Sequence, residues 1–235
     1  MRHTKFLVTF LIALGYVTTA GADEYTRYVD PKIGSGGHGH VFVGANVPFG
    51  MVQLGPTSIP QEWDWCSGYH DSDSTVIGFS HTHLSGTGIG DLFDITVMPV
   101  VGKGLTYARG RESKLQSGLW SYADRSKEIT RPGYYSVPLT RFGIIAELTA
   151  TSHVGMHRYT FPNNDDVGIV FDLMNGGCWD RPMDAYLEVV DPKTGQRAED
   201  QNSGYAVRGY RYSRGWADDQ KVYFYAEFSK PFKSF

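Results

Sequence analysis

The chain has 235 residues, a formal net charge of −3 and neither a basic stripe nor a run of lysine and arginine. Its composition therefore excludes the electrostatic footprint of a nucleic-acid-binding protein, and its length fits one large all-β domain. Aromatic residues make up 14% of the chain, with 15 tyrosines and 5 tryptophans, a content typical both of β-sheets and of surfaces that stack on sugar rings.

The first residues have the organisation of an export signal. Arg2 and Lys5 supply a positive start, a short apolar stretch follows, and Ala20-Gly21-Ala22 matches a small-residue cleavage site. We therefore expect a signal peptide at 1–22 and one mature domain at 23–235, exported to the periplasm or secreted. The apolar stretch is too short for an ordinary membrane span, and no cysteine follows it to carry a lipid anchor, so no membrane span is expected.

Short alternating runs of apolar and polar residues follow the signal and predict half-buried strands. In the run KVYFYAEFS, Val222, Phe224 and Ala226 fall on one face, and Tyr223 and Tyr225 fall on the other. Similar runs lie at 143–150, 154–161, 167–173, 185–190 and 205–212. Because helical periodicity, internal repeats and linkers are not found, the sequence predicts an all-β fold, a large antiparallel β-sandwich.

Five of the eight histidines lie early in the chain, at His38, His40, His70, His81 and His83. The pairs in GGHGH and SHTH are spaced two apart, so on an extended strand both imidazoles would face one side and could share a zinc ion. Candidate third ligands are Asp71, Asp73, Asp91 and Asp94. Since H-x-H alone is an unspecific pattern, we favour the alternative that these imidazoles orient loops through hydrogen bonds, and we assign no metal ligand.

The segment SGTGIGD at 85–91 has the spacing of a phosphate-binding glycine loop but not its context. The next residues, LFDITVMPVVG, predict a strand where a dinucleotide site requires a helix. We therefore interpret these glycines as positions of positive φ and close backbone approach.

The segment WDWCSGYHDSD at 63–73 concentrates aromatic and acidic side chains. Trp63 and Trp65 are either core residues or a stacking platform for a sugar, flanked by carboxylates that accept hydrogen bonds from hydroxyls. Periodicity leaves both interpretations open. Glycosidic cleavage needs two positioned carboxylates, and no local motif identifies such a pair among the 25 acidic residues.

The chain contains two cysteines, Cys66 and Cys178. An oxidising compartment would permit a disulfide between them, but spacing does not determine pairing, and we favour the alternative of two ordinary buried thiols.

Four long segments resemble the N-terminal domain of glycoside hydrolase family 92. They are YVDPKIGSGGHGHVFVGANVPFGMVQLGP, WDWCSGYHDSDSTVIGFSHTHLSGTGIGDLFDITVMP, AELTATSHVGMHRYTFP and VYFYAEFSKPF, in that order from 28 to 232. The resemblance covers nearly the whole mature chain. It implies a sandwich of the galactose-mutarotase-like supersandwich type.

The resemblance also implies a function. Members of the family are exported, calcium-dependent, inverting exo-α-mannosidases whose sandwich is joined to an (α/α)₆ barrel. The catalytic acid, the catalytic base and most calcium ligands lie on that barrel, so no catalytic residue is assigned in this chain. The resemblance assigns substrate contact first to Trp65, then to Trp63, and then to two histidine pairs near the domain interface. These pairs are His38 with His40 and His81 with His83.

The sequence is compatible with three functions. The favoured one is the sandwich domain of an α-mannosidase acting on α-mannosides of N-glycans or mannans, inactive without its missing barrel. The alternatives are a stand-alone carbohydrate-binding module and a zinc hydrolase that uses the H-x-H pairs.

Overall fold

The computed structural model describes residues 25–90, 92–106, 118–163, 166–176, 179–199 and 204–235. The predicted signal peptide at 1–22 lies outside these residues, and so does Cys178, one half of the proposed disulfide. Cys66 is buried. No helix in the described ranges is long and apolar enough to cross a bilayer.

Strands and turns account for the regular structure of the described chain. The strands are β1 (Ala45–Asn46), β2 (Gln53–Thr57), β3 (Thr75–Val76), β4 (Gly78–Ser80), β5 (Thr96–Val101), β6 (Ser121–Tyr122), β7 (Ile129–Arg131), β8 (Tyr134–Leu139), β9 (Ile144–Ala150), β10 (Gly155–Thr160), β11 (Val167–Asp172), β12 (Arg181–Val190), β13 (Ala206–Arg214) and β14 (Gln220–Glu227). Short 3₁₀ turns form at Trp63–Trp65 and Arg125–Lys127.

These strands form four sheets in which every pairing between strands is antiparallel. A five-stranded sheet has the order β1-β2-β4-β5-β11, and a four-stranded sheet has the order β10-β9-β8-β7. A three-stranded sheet, β12-β13-β14, and the small pair β3-β6 complete the set.

The two largest sheets share one hydrophobic core. Leu54, Phe79 and Met98 of the five-stranded sheet lie in the same buried cluster as Tyr135 and Ile144 of the four-stranded sheet. In β9 the residues alternate between buried and more exposed positions along IIAELTA, as a strand with one face on a core requires. The predicted all-β fold with a large antiparallel sandwich is confirmed.

The three-stranded sheet is fixed to the sandwich by a buried cation. Arg211 in β13 is fully buried, and its Nη1 donates to Asp94 Oδ1 at 2.6 Å. Its Nη2 donates to Asp180, and its Nε donates to the Leu173 carbonyl at 3.0 Å. On β14 the side chains predicted to point inward are the less exposed ones, so the predicted faces of this strand are confirmed.

Candidate functional site

The GGHGH segment forms a tight, non-strand loop. Gly37 and His40 have positive φ values of 56° and 54°, which glycine adopts freely and histidine rarely. Gly39 packs directly on the Gly34 carbonyl, where a Cβ atom would overlap the backbone. The glycines therefore permit a compact loop, and the loop holds His40 in an unusual conformation.

This loop brings both of its histidines to one aspartate. The Nδ1 atom of His38 lies 2.7 Å from Asp64 Oδ1, and the Nε2 atom of His40 lies 3.0 Å from the same oxygen. The hydrogen bond from His38, followed by the one from His40, holds the pKa of Asp64 below its usual value. The His38 ring is largely exposed, whereas the His40 ring is buried.

Trp63 lies beside these imidazoles. Its ring meets the His40 ring edge to face, with centroids 4.2 Å apart, and its Nε1 donates to the Gly88 carbonyl at 2.7 Å. A Cβ atom at position 88 would overlap the Trp63 ring, so only glycine fits beneath this indole. Trp63 is nevertheless 52% exposed, which makes it a platform open to solvent.

Trp65 is more enclosed than Trp63. It stacks on the His70 ring with centroids 4.3 Å apart, and its Nε1 donates to Asp73 Oδ2 at 2.8 Å. The other side of His70 reaches the GGHGH loop, since its Nε2 lies 3.3 Å from the Gly37 carbonyl. His70 thus links the second tryptophan to the histidine loop.

His81 and His83 have a different environment. His83 is buried, with its Nδ1 2.8 Å from the Gln53 carbonyl and its Nε2 3.3 Å from Thr57 Oγ1. His81 is partly buried, with its Nδ1 2.7 Å from the Ile95 carbonyl. Both rings are already hydrogen-bonded to protein atoms, so a ligand would have to displace one of those partners.

Comparison with known proteins identifies the family to which this chain belongs. Residues 28–235 match the model of the glycosyl hydrolase family 92 N-terminal domain. The chain belongs to glycosyl hydrolase family 92. Its resemblance to that family, seen in four sequence segments, is confirmed.

Several family 92 relatives are similar over most of this chain. The α-mannosidase BT3965 from Bacteroides thetaiotaomicron, solved in complex with mannoimidazole, superposes with a TM-score of 0.77 at 35% identity. That match covers 88% of this chain and 25% of the solved chain. The family 92 glycosyl hydrolase ccman5 matches with a TM-score of 0.69 at 25% identity, over 88% of this chain and 27% of that one.

A curated relative is similar over a smaller share. The "uncharacterized secreted glycosidase" of Arthroderma benhamiae is 32% identical over 160 residues, which is 66% of this chain and 20% of the relative. The chain therefore spans about a fifth to a quarter of the length of the family 92 proteins that it matches.

The predicted site residues fall into two groups in this family 92 domain. His38, His40 and Trp63 form one cluster, joined through His70 to Trp65, whereas His81 and His83 lie within the sandwich. The sequence ranked Trp65 above Trp63, but the structure leaves Trp63 the more exposed of the two.

The aspartates proposed as third zinc ligands are engaged elsewhere. Asp71 pairs with Lys32 at 2.9 Å, Asp73 accepts from Trp65, and Asp94 pairs with Arg211. Asp91 lies outside the described residues. The aspartate that does meet a histidine pair is Asp64, which sequence reasoning missed because the contact depends on how two distant loops pack.

Proposed function

We propose that this chain is the sandwich domain of an exported, calcium-dependent, inverting exo-α-mannosidase that acts on α-mannosides of N-glycans or mannans. In this proposal the domain supplies loops to the substrate pocket, while the catalytic acid and base lie on an (α/α)₆ barrel. Family membership and the α-mannosidase BT3965 among its relatives support the substrate class. The secreted relative supports export.

The observation that carries the proposal is the exposed Trp63 indole beside His38 and His40. An aromatic ring that is open on one side and bordered by polar side chains suits a pyranose, whose apolar face stacks while its hydroxyls form hydrogen bonds. We therefore place Trp63 first and Trp65 second among the candidate sugar contacts, with His38 and His40 as hydrogen-bonding neighbours. Substrate contact by His81 or His83 stays a prediction from the resemblance.

The carboxylates around this platform do not suit general-acid chemistry. A glycosidase acid must be protonated at working pH and so requires a raised pKa. The pKa of Asp64 is lowered by its hydrogen bond from His38, and that of Asp71 is lowered by its hydrogen bond from Lys32. Both are ionised near neutrality, so neither is suited to act as the general acid of a glycosidase.

The donor atoms near the platform do not suit calcium either. Calcium prefers six to eight oxygen ligands, whereas the cluster here offers two imidazole nitrogens and one carboxylate. We therefore derive no catalytic step through calcium from the described residues and assign the calcium dependence to the remainder of the family enzyme.

The first test is hydrolysis by the purified chain. We expect no mannose to be released from α-linked mannobiose, with or without added calcium, when the products are separated by chromatography. Calcium-dependent release of mannose would overturn the proposal. A longer family 92 enzyme assayed in parallel controls for the substrate and the buffer.

A stand-alone carbohydrate-binding module is the second candidate, because the same exposed indole could bind glycan without chemistry. Titration of the chain with mannobiose separates the two. If the chain is the sandwich domain of a mannosidase, it carries only part of the pocket, and we expect weak binding that Trp63→Ala abolishes. Tight binding without hydrolysis would favour the stand-alone module. Trp216→Ala is the matched control, since Trp216 is 70% exposed on the turn between β13 and β14.

A further inference from the structure

Three metal-ligating side chains converge at the surface of the histidine loop. The ligand atoms of His38, His40 and Asp64 all lie within 4.8 Å of one another. Among the described residues, this is the one group of three or more histidine, cysteine and acidic side chains close enough to share an ion. The three residues come from two loops, so their approach is a product of the fold.

Hydrogen bonds to the His40 backbone hold this cluster in place. The His40 carbonyl accepts hydrogen bonds from the Gly86 N–H at 2.7 Å and from the Ser67 hydroxyl. With φ at +54° and its ring buried, His40 cannot move without disturbing these contacts. The 3₁₀ turn Trp63–Trp65 fixes Asp64 opposite it.

The third ligand can adjust to an ion. The His38 side chain is 80% exposed, so its ring has room to reorient. Zinc ligands at about 2.0–2.1 Å from the ion stand about 3.3–3.4 Å apart in a tetrahedron. Small movements of His38 would reach that arrangement from the present one.

The donor set selects a class of metal. Two imidazole nitrogens and one carboxylate match zinc and its divalent first-row neighbours, whereas calcium and magnesium prefer sites built from oxygen. Three protein ligands leave a fourth tetrahedral position toward solvent.

We propose that His38 Nδ1, His40 Nε2 and the Asp64 carboxylate bind one divalent transition-metal ion, with zinc as the representative. This site goes beyond the proposed function and does not rest on it. The ion would use only the ring nitrogens that face Asp64 and would leave the exposed face of Trp63 open.

The test is titration of tag-free, chelator-treated chain with zinc chloride by calorimetry. We expect one ion per chain, bound with a dissociation constant below about 100 μM. His38→Ala and Asp64→Asn are each expected to weaken binding by at least about ten-fold, the loss that even supporting residues of metal sites produce. His153→Ala, which removes an exposed histidine outside the cluster, is the matched control and should bind zinc as the original chain does.

A second measurement tests whether the metal ion binds beside Trp63. Because Trp63 lies 4.2 Å from the His40 ring, bound Ni²⁺ or Cu²⁺ should quench its fluorescence, and zinc should reverse the quenching by competition. Trp63→Phe should remove the quenched component while zinc still binds. The proposal is wrong if zinc binds no better to the original chain than to His38→Ala, given that His38→Ala has the circular dichroism of the original chain. Mannobiose titration of the same variants shows separately whether sugar binding fails.

Discussion

The Nε2 atoms of His81 and His157 lie 3.0 Å apart, although the two residues are 76 positions apart in sequence. His157 is in β10 of the four-stranded sheet, and His81 follows β4 of the five-stranded sheet. The pair therefore joins the two halves of the sandwich by one hydrogen bond between imidazoles.

The direction of this hydrogen bond follows from its neighbours. The Ile95 carbonyl can only accept, so His81 Nδ1 carries a proton and His81 Nε2 accepts from His157 Nε2. His157 Nδ1 then accepts from the Tyr159 hydroxyl at 2.7 Å. His81 must be neutral, because a second proton on its ring would place two N–H groups against each other, and burial favours the neutral form of His157.

This arrangement predicts loss of stability in acid. Burial lowers the pKa of His81 and of His157, and it lowers the pKa of His83 to about 4. An unfolded histidine takes up a proton below about pH 6.5, but these folded ones resist it, so the free energy of unfolding falls as pH drops below about 6.5. Each such histidine contributes about 1.4 kcal/mol per pH unit until its folded pKa is reached.

Urea unfolding between pH 7.5 and pH 4.5 measures this effect. We expect His157→Gln to lower the slope of stability against pH, since one of the shifted groups is gone. The exposed His153→Gln should leave the slope as it was. A slope equal in the original chain and in His157→Gln would contradict the neutral pair.

Replacing the buried Arg211 side chain with an uncharged one is expected to cause a large loss of stability. Arg211→Met would leave Asp94 and Asp180 buried without their shared cation, and breaking such a pair from one side costs about 3–5 kcal/mol. Denaturant unfolding at neutral pH measures the change. Arg208→Met is the control, because its ion pair with Glu188 lies at the surface and is worth less than about 1 kcal/mol. Equal effects of the two substitutions would show that Arg211 is not a structural anchor.

Replacing Glu128 is also expected to lower the free energy of unfolding, because its carboxylate joins a buried hydrogen-bond network. Its carboxylate accepts from Tyr69 at 3.0 Å and from Tyr135 at 2.6 Å, and it pairs with Arg125. Glu128→Gln removes the charge while retaining the shape, so we expect a cost of about 2–3 kcal/mol in urea unfolding. Glu227→Gln, whose carboxylate accepts from Tyr225 at the surface, should cost less than about 0.5 kcal/mol.

Substitution of Gly88 is expected to disturb Trp63, the proposed sugar contact. The Cβ atom of Gly88→Ala would overlap the Trp63 ring, so the ring would have to move and would lose its hydrogen bond to the carbonyl of residue 88. We expect a shift in Trp63 fluorescence and weaker mannobiose binding, with the fold retained by circular dichroism. Gly36→Ala is the control, because its Cβ would meet Asp71 at an ordinary 3.5 Å. Unchanged Trp63 fluorescence in Gly88→Ala would contradict the packing described.

The strands could be predicted from sequence because alternation is local. The runs at 143–150 and 154–161 correspond to β9 and β10, and the predicted faces of β14 are those observed. By contrast, three residues at the start of the predicted LFDITVMPVVG strand have positive φ, and the strand begins only at Thr96. They are Leu92, Phe93 and Ile95.

The site could be predicted only in part because its contacts are not local. The sequence singled out His38, His40 and Trp63 by type and density, but His38 meets an aspartate 26 residues away. Likewise, the partner of His81 lies in a segment where the sequence offered no chemical motif. Which side chains meet across loops depends on how the sheets pack, and periodicity carries no information on that.

Mannoside binding at Trp63 is the central claim, and ¹⁵N-¹H spectra of the five tryptophan indoles test it most directly. With peaks assigned by Trp→Phe variants, addition of α-linked mannobiose should shift the Trp63 indole resonance most and that of Trp65 next. The Trp216 resonance should stay in place, and cellobiose should shift none of the three. If mannobiose leaves the Trp63 resonance unmoved at concentrations where it shifts Trp216, the platform is not where this domain meets its sugar.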